Sequence, residues 1–402
     1  MAKITDDSLA TIEFILHWQS DNAGHTDSFL AKRVNIWRDI FPEKLLDKLK
    51  GAEAGDIIRL NFEPGTLVPL YSKSLVGEIP FRKFTPRTFG GIKITPSRGR
   101  FLPQGMLSGV IGVYPQTVTP MRILEVGEDS FLADFNHPFS KFSAVLECRI
   151  QNVAPKETET GGRLHHWAEE IFNYGPGMQA GLKDQKTDFL CKDFYARSDE
   201  KADNIFYNNP RLVGHVDSQA SLNLKKIYSE YLSAGMDVLD LMSSVESHLP
   251  DDMNLNVTGL GLNMDELRSN PVLADRIAYD LNADSDFPVG DKLFDAVICS
   301  LSIEYLTDPV GVLKKAHEVL RPGGVLLIGV SNRWFPTKVT NGWLALHEYE
   351  RMGYIRQLME LAGFEGEWGT DVIRNDWRPV TDKHYYATRG ASDPIYVVRG
   401  RK

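Results

Sequence analysis

Apolar residues change their spacing along this chain, and the changes divide it. In Leu9–Trp18 and Phe29–Leu49 they recur at helical intervals, which predicts helices over residues 1–50, with starts at Asp27-Ser28 and Pro42-Glu43. From Gly55 the period shortens. Asp56–Phe62, Val110–Val113, Val118–Val126, Ser130–Phe135 and Ala144–Val153 are strand candidates separated by turns such as Glu63-Pro64-Gly65 and Gly90-Gly91, so residues 51–154 are expected to form an antiparallel β-rich domain. Residues 155–204 are polar and Gly-containing, a connector with one short helix around Leu164–Phe172. His165 and His166 are adjacent there, so on a helix they diverge by about 100° and make a poor metal chelate.

Residues 205–402 alternate strand and helix signals. Helical Ser218–Leu232 precedes an apolar strand, Asp237–Leu241, and the alternation continues to about Phe364. Val319–Phe335 is the clearest piece: a helix ends at Leu320-Arg321, Pro322-Gly323-Gly324 is expected to reverse the chain, and Val325–Val330 is apolar throughout, as in a strand covered on both faces. Gly366–Arg374 and Pro394–Arg399 are strand candidates that close the order. The expected class is an α/β doubly wound, Rossmann-like sheet finished by an antiparallel hairpin, preceded by an N-terminal α+β domain.

Composition narrows the function. The chain has 402 residues, room for two or three domains at about 100–200 residues each. Its net charge of −9 disfavours a nucleic-acid partner, which needs a basic face. Cys148, Cys191 and Cys299 lack metal-ligand spacing and fit reduced thiols in a cytoplasm, so no metal site is expected. No leader pattern is seen, and no apolar run approaches the roughly 18–20 residues that span a bilayer, so a soluble protein without membrane partners is expected. Oligomeric state is left open.

Four ordered segments carry candidate chemistry. The first strand of the α/β region ends in Asp240, after which Leu241-Met242-Ser243-Ser244 is expected to turn toward a helix. Val257–Asn263 (VTGLGLN) ends the second, Asp280-Leu281-Asn282 follows the third, and Phe294-Asp295-Ala296-Val297-Ile298 leads to Ser300. In an open α/β sheet, ligands bind off the carboxyl ends of such strands. Together with Val319–Phe335, these segments resemble the class I S-adenosylmethionine (SAM)-dependent methyltransferases, type 11-like, with a variant D-L-M-S-S first motif. The resemblance implies SAM as cofactor. It places Asp240, Met242, Ser243 and Ser244 at the methionine moiety, Gly259, Gly261, Leu262 and Asn263 near the ribose, Asp280, Leu281 and Asn282 at the adenine, and Ser300 beneath the methyl donor. The chain departs from the family at Met242 and Ser244, where glycines are usual, and at Gly261, which aligns with the family's ribose-binding acid. Asn263 is then the polar residue left to meet a ribose hydroxyl.

The candidate catalytic residues are Tyr305, His215 and Glu304. The candidate substrate contacts are Tyr207 and Arg211, in a segment (Phe206–Asp217) expected to cap the cleft, and Arg333 and Lys338, whose cations suit an anionic group. Ser300-Leu301-Ser302-Ile303 stands where methylases of nucleic-acid amino groups carry asparagine-proline-proline-aromatic.

A second resemblance lies in Asp134-Phe135-Asn136-His137-Pro138-Phe139, followed by Ser140-Lys141. This is similar to the D-x-N-H-P corner of bacterial FKBP-type prolyl isomerases, and it implies an FKBP-like domain fused ahead of the methyltransferase. Three readings follow: a methyltransferase acting on a small metabolite or on a protein recruited by the FKBP-like module; a binding or chaperone-like protein with a degenerate methyltransferase domain; and a prolyl isomerase. Met242, Ser244 and Gly261 support the second.

Overall fold

Apolar runs that leave no polar face become interior strands, and Ala296–Cys299 and Val325–Val330, buried throughout, are two of them in the C-terminal half. In a computed structural model describing residues 2–42, 44–157, 163–173 and 175–402, the chain divides into two units. One comprises Met1–Thr88, Lys93–Phe189 and His347–Gly353; the other comprises Phe89–Ile92, Leu190–Leu346 and Tyr354–Lys402.

The second unit carries β1 (Asp237–Leu241), β2 (Asn256–Gly261), β3 (Leu273–Ala278), β4 (Phe294–Ser300), β5 (Leu320–Val330), β6 (Gly366–Arg374) and β7 (Ile395–Arg401), side by side in the order β3-β2-β1-β4-β5-β7-β6. β1 to β5 are parallel. β7 runs antiparallel to β5, and β6 antiparallel to β7. Order reverses at β1 and β4, which creates the crevice where ligands of such sheets bind. Helix α1 (Ser218–Ser229) opens on Asp217, whose carboxylate accepts from Gln219 N and Ala220 N. Its Leu224, Ile227 and Tyr228 pack with Val238, Ile298, Leu327 and Val397. Helix α2 (Met264–Ser269) follows β2, and α3 (Pro309–Val319) follows β4 with Pro309 in its first turn.

Two expectations in this unit fail. The helix before β5 stops at Val319 and the strand starts at Leu320, so Pro322-Gly323-Gly324 does not reverse the chain. Pairing steps from Phe294↔Leu320 to Ala296↔Val325, so residues 321–324 bulge opposite Asp295. Arg321 fixes the bulge with ion pairs of 2.8 Å to both Asp237 and Asp295. The loop after β1 was also expected to enter a helix, whereas residues 242–255 form turns up to β2.

The first unit corrects the reading of residues 1–50. Ser8–Gln19 and Ala23–Val34 are strands, paired antiparallel, and among the described residues of this stretch only Leu45–Leu49 is helical. Ala10, Ile12, Phe14, Leu16 and Trp18 are all buried, a period of two, but Ile15 is buried as well and a bulge falls between Thr11 and Ile12. Those extra apolar positions imitate helical spacing. The Asp27-Ser28 helix start therefore lies inside a strand, and Glu43 lies outside the described residues. Ser8–Gln19 also pairs with Ala144–Pro155, which pairs with Ile57–Phe62. A separate antiparallel sheet joins Val76–Pro80, Ser130–Asp134, Pro120–Val126 and Phe101–Pro103. Val110–Val113, expected as a strand, forms turns.

The D-x-N-H-P segment is a hydrogen-bonded corner. Asn136 brackets Ser72, accepting from its N–H at 2.8 Å and donating to its carbonyl at 2.9 Å. His137 Nδ1 accepts from Phe139 N at 3.1 Å, and burial pushes the imidazole pKa down to about 4. The short helix of the connector is Trp167–Phe172, capped by His166. The connector is not free chain: Gln179 donates to the buried Asp27 carboxylate at 2.9 and 3.1 Å. Residues 158–162 and 174 of it lie outside the described residues. Among the described residues, no helix is long and apolar enough to cross a membrane.

Candidate active site

The cleft opens where β1, β2 and β4 end. The β1 end carries Asp240, 2% exposed, whose Oδ2 accepts from Ser243 Oγ at 2.6 Å. Burial raises this carboxyl to about pKa 6, against the pull of hydrogen bonds from Ser243 and Ser247. Met242 has φ 55°, the left-handed conformation that suits glycine. The side chain differs from the family's, yet the backbone keeps a glycine's path.

That path explains Gly261. Ser243 N donates to Leu260 O at 2.7 Å, laying the loop across the end of β2. A Cβ on Gly261 would lie 2.0 Å from Ser243 O, so no side chain fits there, acidic or otherwise. Asn263 is also committed. Its Oδ1 caps α2 by accepting from Asp265 N (2.9 Å) and Glu266 N (3.3 Å), and its Nδ2 donates to Tyr207 O (2.9 Å) and Asn208 O (3.2 Å).

At the β3 end Asp280 Oδ1 accepts from Asn282 N at 3.0 Å and Ala283 N at 3.3 Å, a local turn. Leu281 is buried. The Asn282 amide is fully used. It accepts from Thr307 N at 2.8 Å and donates to Tyr305 O at 2.9 Å and Asp203 Oδ2 at 2.7 Å. At the β4 end Ser300 Oγ meets Tyr228 OH at 2.9 Å, and Tyr305 OH accepts from Phe335 N at 2.9 Å. Burial and then the charge of Glu304 hold Tyr305 well above the ordinary phenol range. Glu304 itself is 2% exposed and does not line the cleft.

Residues 203–215 form the remaining wall. Asp203 anchors it: Arg197 Nη1 lies 2.9 Å from both carboxylate oxygens and Lys338 Nζ 3.0 Å from Oδ1. Burial pushes the Asp203 pKa up, and the Asn282, Arg197 and Lys338 donors together outweigh it, leaving the carboxyl below its usual range. Lys338 is fully buried and also donates to Lys201 O at 2.6 Å, while Arg333 donates to His384 at 3.2 Å. Neither cation reaches the cleft. Arg211 does, with its guanidinium 4.3 Å from the Phe206 ring centre and 4.9 Å from that of Phe335. His215 stands edge-on to Phe335 at 5.7 Å, its pKa lowered by burial.

The cleft holds about 940 Å³ with its open mouth included. It gathers Tyr207, Arg211, His215, Asp240, Met242, Ser243, Ser244, Gly261, Leu262, Asn263, Asp280, Leu281, Asn282, Ser300 and Tyr305, while Gly259, Glu304, Arg333 and Lys338 lie outside its lining. Gly259 faces Leu273, whose Cδ1 would meet a Cβ at 2.5 Å. Residues not singled out in the sequence also line it, among them Asp203, Glu246, His248, Glu266 and Phe335. His248 Nδ1 meets Ser221 Oγ at 2.9 Å, and its hydrogen bond to Glu246 is the main force holding that carboxyl down to about pKa 2.

The residues present fit SAM. A left-handed backbone at Met242, a β2 end kept free of side chains and an Asx turn after β3 together form a cradle off the switch point. Comparison with known proteins agrees: a methyltransferase-domain family matches residues 248–328. Those residues form part of a SAM-dependent methyltransferase domain, and S-adenosyl-L-methionine is its cofactor. No curated protein matches the chain. Among solved structures, a SAM-dependent methyltransferase from Archaeoglobus fulgidus is 14% identical, covering 46% of this chain and 93% of its own, with a TM-score of 0.34. A putative methyltransferase from Bacillus halodurans is 16% identical, covering 46% and 99%, with a TM-score of 0.32. At such scores these likenesses bear on neither the fold nor the substrate of the whole chain.

Proposed function

We propose that this protein methylates an O–H or N–H nucleophile of a small acceptor, with His215 as the base. SAM supplies a methyl group on a sulfonium, which departs without an acid's help. What remains for the chain is to hold the reactants in line and to remove a proton. The Met242–Ser244 loop and the Asp280-Leu281 corner are the natural grips for the two ends of the cofactor, with Ser300 beneath its centre. The observation that carries the reading is His215. Its imidazole lines the cleft and burial lowers its pKa, so at neutral pH it is available to accept the proton shed as the new bond to carbon forms. Tyr207, Tyr305 and Phe335 supply apolar walls that exclude water. Tyr207 is itself a poor base, because burial and the Asp203 charge raise its pKa.

The N-terminal unit we read as an FKBP-like module that recruits or positions partners. The Ser72–Asn136 bracket and the His137 turn support that reading, and isomerisation of a proline peptide is its direct assay. For the methyltransferase, calorimetric titration with SAM and with S-adenosylhomocysteine comes first, followed by a metabolite screen. Binding in the micromolar range, with His215→Gln lowering turnover at least tenfold on any acceptor found while leaving cofactor affinity alone, supports the reading. No binding to either compound by the folded protein overturns it in favour of a binding protein with a relic cleft.

A further inference from the structure

We propose that Glu266 holds the ribose hydroxyls in this cleft, taking over from the acid that β2 lacks. The assignment rests on the SAM reading above and goes beyond it in naming a residue outside the family's motif.

The usual position is closed. Ser243 O stands 2.0 Å from where a Gly261 Cβ would be, and the same residue's N–H is fastened to Leu260 O at 2.7 Å, so the loop cannot yield without unpairing from β2. Asn263 is spent on capping α2 and on the carbonyls of Tyr207 and Asn208. The other carboxylates of the cleft sit off other strand ends or face cations: Asp240 ends β1 and Asp280 follows β3, Glu246 is held by His248 and Ser221, and Asp203 by Arg197 and Lys338.

Glu266 differs from these in its placement. It is the third residue of α2, the helix that opens directly off the carboxyl end of β2, and it is 7% exposed yet lines the cleft. A glutamate at this helical position ordinarily turns back to its own N-cap N–H. Here the carboxylate faces away from that role. Oε2 accepts from Ser244 Oγ at 2.6 Å, and Oε1 accepts from Arg211 N at 2.7 Å. Each carboxylate oxygen has a second lone pair, so two acceptor positions are left, a match for two neighbouring hydroxyls. The same carboxylate thereby joins the first-motif loop, the ribose and the wall that begins at Arg211.

The test is calorimetry on the full chain with S-adenosylhomocysteine and with its 2′-deoxy and 3′-deoxy analogues. Glu266→Gln should weaken S-adenosylhomocysteine binding by about tenfold or more, the order expected for hydrogen bonds to a charged acceptor. The wild-type protein should lose a similar factor on at least one deoxy analogue, and the variant should no longer distinguish that analogue from the parent. Glu266→Asp, which shortens the reach by one methylene, covers the case in which Gln does not fold. Ser244→Ala should retain discrimination against the deoxy compound. Equal weakening of all three ligands by the Glu266 variants marks a purely structural role and overturns the assignment, as does unchanged binding. Absence of S-adenosylhomocysteine binding by the wild-type protein overturns the cofactor reading itself, and this assignment with it.

Discussion

Two corners of the cleft keep a cofactor-shaped outline by opposite routes. After β1, the residues have changed and the backbone has not: Met242 holds φ 55°, and the loop still crosses the end of β2. After β3, the residues match the family and their side chains have found internal work: Asn282 ties the corner to Thr307, Tyr305 and Asp203. A motif's letters and its geometry can therefore part company. At the first corner the side chains have changed while the backbone path, with its bond from Ser243 N to Leu260 O, is kept. At the second, the corner's position depends on a carboxylate far away in sequence, so intact letters alone do not secure it.

The largest expected effect breaks the second corner from a distance. Asp203→Asn keeps the shape and removes the charge that Arg197 and Lys338 both face, leaving two buried cations under-compensated. Breaking a buried pair of this kind costs about 3–5 kcal/mol, or roughly 6–20 °C in melting temperature for a unit of this size. The Asp203 pKa is depressed in the folded protein, so its contribution is fully present above the unfolded value of about 3.9 and is lost as pH falls through the lower folded value. Thermal melts should therefore show the full gap between wild type and variant at pH 7 and a shrinking gap below about pH 4. S-adenosylhomocysteine affinity should fall as well, because Asn282 loses its charged acceptor. An undiminished affinity would show that the corner after β3 stands without its anchor.

The first corner is broken from within. Gly261→Ala puts a methyl group against Ser243 O, a backbone atom without room to retreat. Overpacking of this sort costs about 1–3 kcal/mol, and the displaced loop should lose S-adenosylhomocysteine binding by calorimetry. A well-folded variant that binds normally would mean that the loop and β2 separate easily, and the steric account of the missing acid would fail.

How much of this was legible follows from how each element is buried. Val238–Leu241, Phe294–Ile298 and Val325–Val330 are apolar but for Asp240 and Asp295 because both faces are covered, so β1, β4 and β5 could be read directly. Ser8–Gln19 is also a strand, but its bulge and the burial of Ile15 blurred the two-residue period. The Pro322-Gly323-Gly324 signal was real as a departure from regular strand. Whether it would become a turn or a bulge was decided by Asp237 and Asp295, which the bulge's Arg321 reaches across the sheet. At the site, most residues named at strand ends line the cleft, whereas residues acting across the fold carry no local signal. Lys338 looked like an anion grip and is an internal counter-ion. Glu266 has the spacing of a helix-capping glutamate, three residues after Asn263, and only the three-dimensional closeness of Ser244 and Arg211 gives it another use. Asp203 lies in a polar connector where nothing local marks it.

The smallest effect bears on whether the first corner is a relic or a variant. A left-handed Met242 carries a strain of about 1 kcal/mol that glycine would not. Met242→Gly removes that strain but gives the unfolded chain extra freedom worth about 0.5–1 kcal/mol. The two nearly cancel, so the melting temperature should move by no more than about 2 °C. S-adenosylhomocysteine affinity should stay within about twofold, because the bound backbone is the same in both proteins. A tenfold loss would show that the methionine side chain, which lines the cleft, has acquired a contact of its own with the cofactor. A tenfold gain would show that the methionine obstructs a site the glycine would reopen. Only the unchanged result fits a loop in which conformation was kept while the letters that usually encode it were replaced.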